Sequence, residues 1–354
     1  MDLTDILEGR CENVLVRQEA GADRLIFVFS HVGYPAGKFA MTNVFSDSTL
    51  RANFVFVNCK GNAWYQLGIN DEFDSIDKCT QLFRRLIDHF TPRQSLAVGM
   101  SMGGYAATVF GLLLQLDYVT AFTPEVILDL PHCRSVTLNN VRRFDFKYIS
   151  LQHLLAANSH TIVNAIYGAY DLIDLSLLWP LSHILERAEG KLRVTFCNDG
   201  HQVPLSLDVR NLVKSTFSVG CLEPRDIRAA IVLRTAHPAV ELYALARARH
   251  FKNVGDFNAV HDVLTGEPSF SKVSWINFFL AENFDKAGEF DRAAAQFDLA
   301  ATQDPGSFYV WFRSAQFAER TRRFDMLSYT CERALAIKPG DVHASKLFAK
   351  ALAA

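Results

Sequence analysis

The chain has 354 residues, more than a single compact core usually holds, and two domains are expected. Apolar residues make up 49% and charged residues 21%, a balance that excludes a disordered or fibrous chain. With 36 basic and 38 acidic residues the formal charge is −2, which removes any electrostatic reason to expect nucleic acid or an anionic membrane as partner.

The segment Met1 to Glu8 is acidic and lacks the basic and apolar regions of a signal peptide. Asp117 interrupts the longest apolar stretch before it reaches the about 18 residues of a membrane span. A soluble, cytoplasmic protein is therefore expected. The seven cysteines occur singly, with no Cys-x-x-Cys pair and no histidine at metal-ligand spacing. Free thiols are expected, with neither metal nor cofactor.

In chain order, an edge strand is expected over 13–17. It is followed by strands at 24–30, 53–58, 95–99, 118–122, 161–167 and 192–197, most of them β-branched or aromatic and apolar on both faces. Helices are expected between them at 73–90, 102–116, 174–189 and 203–217. This alternation predicts an α/β fold, a mostly parallel sheet with helices on both faces. Residues 124–160 do not read as one crossover and are assigned to an insertion that caps the site. Residues 1–217 form the first domain in this reading, 218–239 a linker and 240–354 a helical domain.

Beyond residue 218 only helical patterns remain. Ala281, Phe284, Phe290, Ala300 and Pro305 recur as Ala315, Ala318, Phe324, Ala334 and Pro339, a spacing of 34. With the Gly288-Glu289-Phe290 turn, this resembles the tetratricopeptide repeat, whose small residues let paired helices approach closely. A degenerate earlier copy is read at Gly255-Asp256-Phe257. Arg322 departs from the pattern at the turn position of Gly288, and Cys331 stands opposite Phe297. The resemblance implies a binding surface for a protein partner or for self-association through residues 240–354.

The strongest local signal is Gly99-Met100-Ser101-Met102-Gly103, between an expected strand and an expected helix. A sharp strand-to-helix turn exposes a serine hydroxyl and brings neighbours two positions away into collision, so glycine is needed at Gly99 and Gly103. Ser101 is the candidate nucleophile. Downstream, the strand at 161–167 ends in Gly168-Ala169-Tyr170-Asp171, and the strand at 192–197 ends in Asn198-Asp199-Gly200-His201. His201, on a loop just before Val203-Pro204, is the candidate general base. Asp171 is the candidate acid that orients it, with Asp174 and Asp199 as competitors.

An oxyanion hole is expected from the backbone N–H of Met102 and one N–H of the loop His31-Val32-Gly33. Val32 and His31 are both open as that donor, and Gly33 would permit close approach of substrate. Trp64 and Tyr65 are candidates to line the substrate pocket, with aromatic core packing as the equal alternative.

Together these residues resemble the α/β-hydrolase superfamily over roughly 10–217, and its esterase-like members in particular. The resemblance implies ester or acyl chemistry through an acyl-serine, released to water or to a sugar or other hydroxyl acceptor. Around Asn62, Trp64 and Tyr65 there is a weaker resemblance to esterase-like proteins encoded with bacterial surface-glycan pathways. The expected partner is thus a small-molecule or glycan acyl ester. The competing reading is an inactive scaffold that acts through its helical repeat.

Overall fold

The computed structural model describes residues 2–46, 50–131, 133–139, 146–182, 191–203, 209–219, 230–231, 238–266, 270 and 273–353. Among the described residues eight strands form one sheet: β1 (Val14–Arg17), β2 (Arg24–Phe29), β3 (Asn53–Val57), β4 (Gln94–Met100), β5 (Tyr118–Phe122), β6 (Ile162–Gly168), β7 (Leu192–Cys197) and β8 (Ala230–Ile231). Their order is β1-β3-β2-β4-β5-β6-β7-β8. β2 pairs in parallel with β3 and β4, β4 with β5 and β5 with β6, while β1 runs antiparallel along β3. The fold is thus the mostly parallel α/β-hydrolase type of sheet, followed by a helical region.

Every residue of β3 and all but the first of β2 and β4 are buried, because helices cover both faces of a parallel sheet. β8 departs from the expectation of helix alone beyond residue 218. A two-residue edge strand is too short for its period to be read in sequence.

Helices of the sheet region include α1 (Leu3–Leu7), α2 (Ile76–Phe90), α3 (Met102–Leu114), α4 (Arg134–Asn139), α5 (Gln152–Ala157), α6 (Leu172–Ser176) and α7 (Val209–Val219). Ser75 starts α2 by accepting the Lys78 N–H on its hydroxyl, and Thr91 ends it in the left-handed conformation. All residues of α3 from Met102 to Gly111 are buried, as befits a helix apolar on every side. Its Phe110 stacks on Phe29 at 5.3 Å and meets Phe83 of α2 edge-on at 4.9 Å, which joins two helices to β2 through one aromatic cluster.

Of the expected helix 174–189, the described residues hold α6 and a 3₁₀ turn at Trp179–Leu181, and 183–190 lie outside them. The helix expected at 203–217 is described from Val209, residues 204–208 lying outside. The described residues of the insertion at 124–160 hold α4, α5 and a bridge between Ile127 and Ser150. Glu125, wholly buried, accepts the Arg134 and Ser135 N–H groups at the start of α4, and burial raises its pKa. No helix among the described residues is long and apolar enough to cross a membrane.

The chain divides into two compact units. The first comprises Met1–Tyr167, Pro180–Thr195 and Gln202–Val232; the second comprises Gly168–Trp179, Phe196–His201 and Leu233–Ala354. The end of β6 with α6, and the end of β7 with the loop after it, therefore group with the C-terminal helices. Position in sequence alone would assign them to the first domain.

In the second unit the C-terminal helices are α8 (Pro238–Val254), α9 (Phe257–Gly266), α10 (Ser274–Ala287), α11 (Phe290–Gln303), α12 (Phe308–Arg320), α13 (Phe324–Ile337) and α14 (Val342–Leu352). The starts of α10 and α12, of α11 and α13, and of α12 and α14 are each 34 residues apart. Ala281, Ala300, Ala315 and Ala334 are wholly buried between these helices, where only a methyl group fits a close approach. Gly255 and Gly288 turn the chain at φ +78° and +80°, and Arg322 does the same at φ +58°. The sequence departure at Arg322 thus keeps the turn at the cost of strain.

Candidate active site

The first unit holds the serine turn. Ser101 has φ 54° and ψ −118°, far from the ordinary regions for a residue with a side chain. Its N–H donates to Phe122 O at 2.8 Å, and its carbonyl accepts the Tyr105 N–H at 2.9 Å, which ties the turn to β5 and α3. A Cβ on Gly99 would lie 2.2 Å from Gly103 O, and one on Gly103 would lie 2.3 Å from Phe29 O. A Cβ on Gly104 would reach Phe122 O at 2.8 Å. Three glycines are therefore required by backbone contact, and Ser101 is held in strain by β2, β4 and β5 together. Met102 opens α3, where the first-turn N–H groups have no partner within the helix. Nearby, burial pushes the Cys59 thiol up to about 11, which leaves no useful thiolate at neutral pH.

The loop after β2 is held by Asn58, which sequence reasoning missed, and by Asn62, which it named only within a resemblance. Asn58, buried at the end of β3, donates from Nδ2 to the carbonyls of Tyr34, Pro35 and Lys38 at 2.9–3.2 Å. Asn62 Oδ1 accepts the Gly33 N–H at 3.2 Å. Gly33 has φ +94° and open space where a side chain would project, so its glycine answers to backbone conformation. Because the Gly33 N–H is engaged, Val32 and His31 are the loop's remaining candidate donors. The His31 ring sits with Nδ1 2.9 Å from Val32 O and lies edge-on to Tyr34. A cavity of about 810 Å³ opens beside this loop, lined by Cys11, Glu12, Val14, His31, Val32 and Gly33 among others, but not by Ser101. It therefore does not mark an acyl pocket.

Trp64 and Tyr65 are both 0% exposed, which corrects their candidacy as pocket residues. The Tyr65 hydroxyl is 3.0 Å from both Ser30 O and Val57 O, as donor, and its ring packs edge-on against Phe29 and Phe110. They are core residues, and burial raises the Tyr65 pKa well above its ordinary value.

The second unit holds the candidate acids and the candidate base. Asp174 Oδ2 lies 2.8 Å from His201 Nδ1, with the Asp174 side chain 1% and the His201 side chain 17% exposed. Asp171, the preferred acid from sequence, instead caps α6, its Oδ1 accepting the Asp174 N–H at 3.0 Å. The signal was available in Asp171-Leu172-Ile173-Asp174, an N-cap residue followed by an acid three positions later. Asp199 Oδ1 accepts the N–H of Gly200 within its own loop.

With Nδ1–H donated to a buried carboxylate, the lone pair of His201 resides on Nε2, the arrangement of a general base. The loops are fastened to each other by Ala169 N–H to Cys197 O and Tyr170 N–H to Asp199 O, at 2.9 and 3.0 Å. A Cβ on Gly168 would lie 2.0 Å from Gly200 O. Asp171, Asp174 and His201 offer ligand atoms within 4.8 Å of one another, a spacing that also suits a cation. The helix cap at Asp171 and the hydrogen bond between Asp174 and His201 fall within this cluster. The structure thus joins Asp174 to His201, with Asp171 beside them as a cap, while Ser101, Met102 and the His31–Gly33 loop belong to the first unit.

No family model and no curated protein matches the sequence. Among solved structures, the chain is similar to a glycosylation associate protein complex from Streptococcus agalactiae, at 16% identity and a TM-score of 0.44, over 59% of this chain and 45% of that one. It is also similar to the capsule O-acetyltransferase of Neisseria meningitidis serogroup A, at 18% identity and a TM-score of 0.44, over 57% and 89% of the two chains. A third likeness is to a carboxylesterase of Bacillus subtilis, at 13% identity and a TM-score of 0.37, over 59% and 88%. The chain spans less than half the length of the streptococcal chain it matches. Likeness at this level carries no assignment of activity.

Proposed function

We propose that the protein is a serine-dependent acyl-ester hydrolase in which Ser101 is the nucleophile, His201 its general base and Asp174 the acid that orients the imidazole. The observation that carries this reading is the backbone of Ser101 at φ 54°, a strained state maintained by glycines that nothing else can replace. Strain of this kind costs about 1–3 kcal/mol and persists where a side chain must be presented in one direction.

Ser101 Oγ adds to the carbonyl carbon of the ester while its proton passes to His201 Nε2. The oxyanion takes hydrogen bonds from the Met102 N–H and from an N–H of the His31-Val32 loop. Collapse of the intermediate breaks the C–O bond, and the departing alkoxide takes the proton from His201. Water, deprotonated by the same imidazole, then releases the acid from the acyl-serine. A sugar or other hydroxyl in place of water gives acyl transfer, which product analysis with a candidate glycan acceptor distinguishes from hydrolysis.

A fluorophosphonate probe tests the reading. Wild type should be labelled and Ser101→Ala should not, and wild-type protein that stays unlabelled under any pH from 6 to 9 overturns it. The second reading, an inactive scaffold, draws on a groove of about 490 Å³ in the helical unit, lined by Asp285, Lys286, Phe297, Arg313 and Gln316 among others. It predicts an unlabelled wild type that binds a protein or itself through residues 240–354.

A further inference from the structure

We infer that the helical repeat is a working part of the catalytic apparatus, with Asp304 as a positioning residue that joins the acid loop to the base loop. The inference rests on the assignment of Asp174 and His201 as catalytic acid and base. Asp304 stands at the end of α11, far along the chain from both loops, yet each of its carboxylate oxygens serves one of them. Oδ2 accepts the Tyr170 hydroxyl at 2.5 Å, and Oδ1 accepts Asn198 Nδ2 at 3.0 Å. Tyr170 directly precedes the cap residue Asp171, and Asn198 lies three residues before His201. Both partners donate, so the two oxygens of one carboxyl group fix both loops.

Neighbouring repeat residues reinforce the same two loops. Ser274 Oγ lies 3.0 Å from the Tyr170 hydroxyl, and Ser307 Oγ donates to Asn198 O at 3.2 Å. Tyr170 is 2% exposed and packs edge-on against Phe278 of α10. The Tyr309 ring lies so close to Gly200 that a Cβ there would come within 2.7 Å of it. A side chain at the residue before His201 would therefore have to displace the Tyr309 ring of α12. Burial raises the pKa of Asp304 despite the two donors. A loop anchored at only one end samples orientations of its imidazole, and a displacement of about 1 Å at a catalytic group costs about 10²-fold in rate.

The test uses the full chain and its variants Asp304→Ala, Tyr170→Phe and the double variant, with two readouts. The first is the rate of fluorophosphonate labelling from pH 5 to 9, with melting temperatures to confirm folding. The second is the NMR signal of the His201 Nδ1 proton, which reports the Asp174 hydrogen bond whether or not the protein is active. Expected are labelling about 10²-fold slower in Asp304→Ala, a displaced pH profile, faster exchange of the Nδ1 proton, and no further loss when Tyr170→Phe is added.

Labelling at the wild-type rate with an unmoved pH profile in Asp304→Ala overturns the inference and leaves the hydrolase reading intact. Unlabelled wild type overturns the hydrolase reading, and an unchanged Nδ1 signal in Asp304→Ala would then overturn the positional role as well. Should Asp304→Ala not fold, Tyr170→Phe decides by the same readouts: slower labelling with a shifted profile supports the inference, and wild-type behaviour overturns it.

Discussion

Replacing Asp174 by Asn separates the two aspartates of the α6 turn more sharply than any other substitution. The carboxylate sits 2.8 Å from His201 Nδ1 and is 1% exposed, so water screens the pair poorly. At a charge separation of about 4 Å and an effective dielectric of about 20, attraction between a carboxylate and the imidazolium formed during attack is about 4 kcal/mol. Loss of that interaction alone slows acylation about 10³-fold. If the new amide turns its NH₂ toward Nδ1, the proton moves to Nε2, the base is blocked, and the loss approaches about 10⁴-fold. Asp171→Asn should behave differently, because Asn caps a helix as well as Asp does. It keeps the cap while weakening the carboxylate's interaction with the helix dipole, about 0.3–1 kcal/mol, and should leave the labelling rate within about 5-fold of wild type. Both rates are read by fluorophosphonate labelling, backed by hydrolysis of short-chain chromogenic esters. Equal losses in the two variants, or full activity in Asp174→Asn, would refute the assignment of Asp174 as the acid.

Gly103→Ala brings a Cβ to 2.3 Å from Phe29 O and should cost about 3 kcal/mol or more in thermal unfolding together with loss of labelling; a stable, reactive variant would mean that the turn is looser than these contacts require. Tyr65→Phe removes a buried hydroxyl that serves Ser30 O and Val57 O and should cost about 1–3 kcal/mol in urea unfolding with catalytic rates unchanged. A rate change without a stability change would return Tyr65 to the pocket. Arg322→Gly relieves a left-handed residue at φ +58° and should stabilise the chain by about 1 kcal/mol, seen as a higher melting temperature. Burial raises the folded-state pKa of Glu125 above its ordinary 4.5. Its contribution to stability is therefore fully present below the unfolded pKa and lost as pH rises through the folded one. Urea midpoints should accordingly show Glu125→Gln gaining on wild type between pH 4 and pH 7, and the opposite trend would reverse the assigned cause.

The serine turn was legible because its constraints are local. Gly99 and Gly103 flank Ser101 by two residues, and the collision that demands them occurs within that span or against the adjacent strand. The central strands and α3 were legible for a related reason, since burial on every side leaves unbroken apolar runs. The period of 34 likewise appears in the sequence because small residues must recur wherever paired helices meet. Tertiary structure distinguished groups of equal chemistry. Asp171 and Asp174 are both carboxylates on one turn, and the choice between them turned on which one α6 takes as its cap. Trp64 and Tyr65 have surfaces fit for a pocket or a core, and the rings of Phe29 and Phe110 resolved Tyr65 toward the core. The link from Asp304 to Tyr170 and Asn198 joins residues 134 and 106 positions apart. Hydrogen bonds at such separations leave no local pattern, because they depend only on where folding brings the two segments.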